Sequence, residues 1–223
     1  MRERSARTAS FSVDLVLVTA MGNGLAVLLA RNSGDRERWS LPWRVPQAAE
    51  SLDAAAARIA QDALGEPPAW IEQIGAFGDG KRHPSDADVS VAYVGLVPHE
   101  TASPRTGYTW FQLTELPPLS PRQRATVEGA TRTIQGRLDQ APIAFRLLPS
   151  TFTLSELQQM YELLLGKRLH KASFRRALQG AWLVEPTDEW RSEGRGRPAQ
   201  LFRYAPKKRR RAHRGVRFDF LYP

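Results

Sequence analysis

Apolar and polar residues alternate at the start of Phe11-Ser12-Val13-Asp14-Leu15-Val16-Leu17-Val18-Thr19 and then pass into a continuous apolar run. That pattern predicts a strand buried on both faces. Gly22-Asn23-Gly24 is a turn signal, and Leu25 to Ala30 returns as the second strand of a hairpin. Ser51 to Leu64 is alanine-rich and lacks Gly and Pro. Leu52, Ala55, Ala56 and Ile59 share one face and Gly65 follows as a stop, which predicts a helix. Further strands are expected at Ile71–Phe77, Val89–Val97 and Tyr108–Gln112. Pro117-Pro118 breaks the chain before a polar helix from about Ser120 to Leu138. Residues 1–140 therefore read as a mixed α/β unit, with helices packed on a largely β core.

Ala141-Pro142 marks the expected boundary with a second unit, 141–223. Ile143 to Leu148 reads as a short strand. In the following segment Leu154, Leu157, Tyr161, Leu164 and Leu165 keep the 3.6-residue period of a helix that Gly166 ends. Thr153 is placed to cap it, and Glu156, three residues later, completes a capping box. A second helix, about Lys171 to Gln179, buries Phe174, Ala177 and Leu178. Two strand-like pieces, Trp182–Glu185 and Leu201–Tyr204, flank a polar loop containing Gly194-Arg195-Gly196-Arg197-Pro198. Helix, turn, helix and hairpin is the order of a winged helix-turn-helix.

Composition narrows the chemistry. The 223 residues include no cysteine, which excludes disulfides, thiolate zinc sites, iron–sulfur clusters and a cysteine nucleophile. The four histidines, His83, His99, His170 and His213, have no metal-ligand spacing and are expected to be solvated or capping. No apolar run approaches the ~20 residues of a membrane span, and no signal-peptide core follows Met1, so a soluble, cytoplasmic protein with no membrane partner is expected. Charge divides the chain at Gln140. Residues 1–140 hold 15 basic and 16 acidic side chains, a net of −1, whereas residues 141–223 hold 17 and 7, a net of +10. A neutral body joined to a cationic end suggests that one of two modules meets a polyanion.

The cations fall on three elements of the second unit. Lys171 and Arg175, four residues apart, project together from the second helix, with Ser173 and Arg176 beside them. Arg side chains there can pair with guanine edges in a major groove. Arg195 and Arg197 sit between glycines in the wing, where the backbone can approach a narrow minor groove. Lys207-Lys208-Arg209-Arg210-Arg211 forms a basic tail. Double-stranded DNA is the expected partner, favoured over RNA because no exposed aromatic platform is evident.

Trp39-Ser40-Leu41-Pro42, continuing to Gly65, resembles the Nudix box region, whose pattern is G-x5-E-x7-R-E-U-x-E-E-x-G. Glu50, Arg58 and Gly65 match that frame without gaps. Trp110-Phe111 and Glu115-Leu116-Pro117 look like the segment before the last Nudix helix. Phe77-Gly78-Asp79, Arg82, Pro84 and the strand from Val89 to Tyr93 are similar to a family loop and strand. Together with a basic winged helix, these features resemble the Nudix-related transcriptional regulators of the NrtR type, which control NAD metabolism. The resemblance covers nearly the whole chain. It implies a Nudix-like α/β/α sandwich with a mixed sheet, followed by the smaller winged helix. It also implies a homodimer and an effector such as ADP-ribose or a related nucleotide-like metabolite.

Departures from the box decide what is expected of the site. Active Nudix enzymes hold Mg²⁺ with carboxylates at three helix positions, which here are Ile59, Asp62 and Ala63. One carboxylate cannot supply octahedral oxygen ligation, so no catalytic residue, metal or other cofactor is expected, and the protein is read as a non-enzyme. Arg44 replaces the opening glycine. By resemblance, the effector site is expected to draw on Arg44, Glu50, Arg58, Asp62, Phe77, Asp79, Lys81 and Arg82, with Arg44, Lys81 and Arg82 giving a diphosphate the positive charge that metal would otherwise supply. Glu50 and Arg58 can alternatively serve as an internal ion pair. The competing expectation is a Nudix hydrolase of ADP-ribose or a nucleotide sugar with an appended nucleic-acid-binding domain.

Overall fold

The computed structural model describes residues 10–32, 38–78, 83–192 and 198–205. Its elements run β1 (Phe11–Met21), β2 (Gly24–Asn32), β3 (Arg38–Ser40), β4 (Trp43–Arg44), α1 (Leu52–Leu64), β5 (Trp70–Phe77), β6 (Val89–Leu96), β7 (Tyr108–Gln112), α2 (Pro121–Arg137), β8 (Thr151–Phe152), α3 (Leu154–Leu165), α4 (Lys171–Ala181), β9 (Val184–Arg191) and β10 (Ala199–Tyr204).

Seven strands form one sheet, in the order β3-β2-β1-β6-β5, with β4 paired to β1 and β7 paired to β2. β1 is central and buried from Ser12 to Thr19, as its continuous apolar run requires. Val13 faces Arg44 and Asp14 faces Trp43 across the antiparallel β1–β4 pair. Cross-strand partners share a face and successive residues alternate. Arg44 reaches Asp62 of α1, whereas Ser90, on the Ser12–Asp14 side, meets Arg122 of α2. The two helices thus cover opposite faces of a Nudix-like α/β/α sandwich. A second sheet of three strands, β8-β10-β9, is antiparallel.

The described residues divide into two compact units. Those within Met1–Val18, Ala26–Gly95 and Ser103–Ala130 form one, and those within Thr19–Leu25, Leu96–Ala102 and Thr131–Pro223 form the other. In the second, Phe145, Phe152, Tyr161, Phe174 and Leu178 are buried in one core.

Two local readings need correction. Ile143–Leu147 is a 3-10 helix rather than a strand. Its apolar run has no period of two, and Pro142 supplies the break that starts a tight turn. Ala177 is half-buried rather than buried, since only Phe174 and Leu178 of α4 enter the core. The strands β3 and β4, three and two residues long, are too short to leave a periodic signal.

Candidate functional site

The box segment folds around α1. Ser51 caps the helix by accepting a hydrogen bond from Ala54 N at 3.1 Å. Gly65 ends it at φ 85°, a left-handed conformation in which glycine avoids the Cβ clash. Arg58 donates from Nε and Nη2 to Glu50 Oε1 and Oε2 at 2.8 and 2.7 Å, and Gln47 N donates to Oε2 at 2.7 Å. These donors, the Arg58 guanidinium foremost, hold the Glu50 carboxyl well below its ordinary 4.5, at about 2. The frame that matched the Nudix pattern is therefore a forked ion pair bracing the loop before α1.

A folded-state pKa depressed in this way stabilises the protein fully above the unfolded value of 4.5 and is lost as pH falls through about 2. Glu50→Gln removes that contribution. Thermal midpoints measured from pH 5 to pH 2 are expected to fall more steeply for the wild type than for the variant. Equal slopes would show that Glu50 is not responsible.

Arg44 donates to Asp62 Oδ2 at 2.9 Å and to Trp43 O at 2.9 Å. The residue in place of the box's opening glycine thus occupies the one carboxylate left among the three metal positions. The other two, Ile59 and Ala63, have no exposed surface. Among the described residues, no group of three His, Asp or Glu side chains is assembled to hold a metal ion.

A cleft of about 910 Å³ lies on the other face of β4, under α2. Trp39 and Trp43 wall it, Pro117 and Pro118 close one side, and Arg38 is the cation lining it among the described residues. Trp39 is braced edge-on by Phe111, at 4.8 Å between ring centroids. His83 reaches the cleft too, but it is not the solvated or capping histidine that its polar loop suggested. Its side chain is fully buried and bonded through Nε2 to the equally buried Asp14 Oδ2 at 2.9 Å. Its Nδ1 meets Ser85 Oγ at 2.7 Å, and its ring stands edge-on to Trp43 at 5.4 Å. Asp14 Oδ1 accepts from Ser12 Oγ at 2.7 Å. Ser12 Oγ also lies 3.3 Å from Ser90 Oγ, to which Arg122 donates at 3.5 Å, and Arg122 donates to Ala87 O at 2.9 Å. Gln123, 2% exposed and lining the cleft, leaves its Nε2 without a hydrogen-bond partner among the described residues. A buried orphan donor costs free energy unless something else bonds it.

The expected ligand residues are thus divided. Arg44, Glu50, Arg58 and Asp62 gather at α1. Phe77, at the end of β5, packs toward Gly129 of α2, where a Cβ would lie 2.9 Å from its ring. Asp79, Lys81 and Arg82 lie outside the described residues. None of the five described residues lines the cleft. Sequence reasoning missed Trp43, His83 and Gln123. The one available signal was Ser12 and Asp14, two polar residues sharing a face in an otherwise apolar strand.

In the second unit a capping box opens α3. Thr153 Oγ1 accepts from Glu156 N at 3.1 Å and Glu156 Oε2 accepts from Thr153 N at 2.6 Å, a complete capping box. Glu156 Oε1 also takes Arg191 Nη1 at 2.6 Å, tying β9 to α3. On α4 Lys171, Arg175 and Arg176 are exposed opposite the buried Phe174 and Leu178. Ser173 is half-buried, with its hydroxyl 3.3 Å from His170 Nδ1. Arg195, Arg197 and the basic tail lie outside the described residues. Trp190 on β9 is 57% exposed, an aromatic surface the sequence had not revealed.

The DNA-binding winged helix domain of NrtR, as a family model, matches residues 144–204. The ADPR responsive transcriptional repressor NtrR of Acinetobacter baylyi is 28% identical over 204 residues, covering 87% of this chain and 81% of that protein. The crystal structure of Shewanella oneidensis NrtR complexed with a 27mer DNA is 30% identical, with a TM-score of 0.75 over 88% of this chain and 94% of that one. A MutT/nudix family protein from Enterococcus faecalis shares the fold, with a TM-score of 0.68 at 18% identity over 92% of this chain.

Proposed function

Because this chain belongs to the NrtR family of Nudix-related transcriptional regulators, we propose that it is a DNA-binding transcriptional regulator that responds to ADP-ribose or a related nucleotide-like metabolite. Residues 141–223 form the DNA-binding unit and residues 1–140 the effector-binding one. Exposed Lys171, Arg175 and Arg176 beside Ser173 support α4 as the recognition helix, with Arg195 and Arg197 of the wing following it onto the duplex. The relative from Acinetobacter baylyi supports ADP-ribose as the effector. None of the described helices is long and apolar enough to cross a membrane, and a DNA partner goes with a cytoplasmic location.

The observation that carries binding without cutting is the fate of the metal positions. Ile59 and Ala63 are sealed in the core, and Asp62 is neutralised by Arg44 at 2.9 Å. A guanidinium stands where hydrolysis would need a hydrated divalent ion. The cleft walled by Trp39 and Trp43 suits the effector's planar base, with Gln123 Nε2, unbonded among the described residues, as a donor to it. Arg38 of the cleft, with Lys81 and Arg82, supplies positive charge for the diphosphate, whereas Arg44 stays with Asp62 on the α1 face and Glu50 and Arg58 brace the loop before that helix. The regulator acts as a homodimer, because two winged helices must meet half-sites about one helical turn, ~10 bp, apart. The effector changes DNA affinity by binding one arrangement of the dimer better than the other.

Gel shifts with the DNA upstream of the regulated genes test this reading. ADP-ribose is expected to release the protein equally with Mg²⁺ and with EDTA, and phosphate-release assays with ADP-ribose and Mg²⁺ are expected to show no turnover. Turnover at ordinary enzyme rates would return the protein to the hydrolases.

A further inference from the structure

No acidic residue occurs between Gly166 and Val184, a stretch that carries Lys167, Arg168, Lys171, Arg175 and Arg176. The last three belong to α4. The first two lie in the turn before it, and the bonding of that turn sets them apart.

Glu162, near the end of α3, is the knot that holds the turn. Its carboxylate accepts from Leu169 N at 2.9 Å, from Gln158 Nε2 at 2.9 Å and from Arg168 Nη1 at 3.2 Å. Its backbone oxygen takes Lys167 N at 3.2 Å. Gln158 Nε2 also donates to Leu169 O at 3.0 Å. Gly166 turns the chain at φ 67°, and Leu169 is buried beneath the turn at 7% exposure. Partial burial raises the Glu162 pKa, but these hydrogen bonds outweigh it and leave the carboxyl below its ordinary value, so the knot stays charged.

What the knot displays is outward-facing. Lys167 is exposed and Arg168 has 95% of its side chain in solvent despite the Glu162 contact. A rigid turn holding two cations next to a helix that reads bases is suited to phosphate oxygens, which fix the register of a protein on a duplex without reading sequence. The fixed backbone lowers the ordering cost of such contacts.

We propose that Lys167 and Arg168 form a phosphate clamp on duplex DNA, separate in role from the base-reading residues of α4. The proposal rests on the DNA-binding reading above. The clamp sets affinity and its salt dependence, and α4 sets sequence preference.

The test uses the full chain with Lys167→Ala/Arg168→Ala and Arg168→Lys. Fluorescence anisotropy would be measured on the regulated promoter duplex and on a scrambled duplex from 50 to 200 mM KCl. Each lost phosphate contact lowers the slope of log K against log salt by ~0.9. The double variant is therefore expected to lose ~1.8 from that slope, so the wild type's affinity should fall roughly tenfold more across this salt range. The loss of affinity should be equal on both duplexes, with the thermal midpoint and the ADP-ribose response unchanged. Arg168→Lys keeps the charge and should keep the wild-type slope.

Three results would overturn the clamp while leaving the DNA-binding reading intact. These are an unchanged slope in the double variant, a loss confined to the promoter duplex, or an Arg168→Lys slope as shallow as that of the double variant. A wild type that binds neither duplex would overturn the DNA-binding reading itself.

Discussion

His83→Ala is expected to destabilise the protein by about 3 kcal/mol, the upper end of the cost of leaving a buried acceptor without its hydrogen-bond partner. The side chains of His83 and Asp14 have no exposed surface, so the substitution leaves a buried carboxyl short of a partner. Among the described residues Asp14 would keep only Ser12 Oγ as a side-chain donor, and Ser85 Oγ would lose its partner ring nitrogen. Trp43 would lose the edge-on ring that fixes one wall of the cleft. Urea unfolding measures the first effect, as a lower midpoint at unchanged slope. Weaker release of DNA by ADP-ribose measures the second. Asp14→Asn is expected to be milder, because an amide oxygen can still accept from His83 Nε2 while its nitrogen faces Ser12 Oγ. A loss below about 1 kcal/mol for His83→Ala would mean that the pair is not what holds this part of the core.

Phe174→Ala should be comparable in size and opposite in functional consequence. Phe174 is fully buried, and its ring packs 5.5 Å from that of Tyr161, itself packed against Phe145. Truncating a buried Phe to Ala costs about 3–5 kcal/mol through lost transfer energy and the cavity left behind. The side chain anchors α4 from beneath, so Lys171, Arg175 and Arg176 lose their fixed presentation. Promoter affinity is expected to collapse while ADP-ribose binding, read by calorimetry, persists. Loss of both together would show that the cleft depends on this core.

These two substitutions also mark the difference between what was legible in the chain and what was not. Phe174 could be placed in a core from the spacing of Phe174 and Leu178 alone, because a helix face repeats every 3.6 residues whatever it packs against. The capping box of Thr153 and Glu156 was readable for the same reason: its two hydrogen bonds close within three residues. The Glu50–Arg58 pair, eight residues apart, was readable as a frame, though its fork and its hold on Val45 O were not. His83 was misread. Its partner lies 69 residues away on β1, and nothing in a polar loop announces that it folds over a buried carboxylate. Asp79, Lys81, Arg82, Arg195 and Arg197 rest on the sequence and the family resemblance alone.

By itself the sequence determined the local and the additive: a neutral Nudix-like body and a cationic winged helix, the helix caps, the α4 face, and a box stripped of two carboxylates. Only the tertiary structure decided that Trp43 and Arg44, neighbours in the chain, serve opposite faces of the sheet. One opens onto a cleft lined by His83 and Gln123, and the other closes on Asp62. The reason is the alternation of side chains along a strand. It assigns faces only once the register is known, and the β1–β4 register is a long-range pairing that no local pattern encodes.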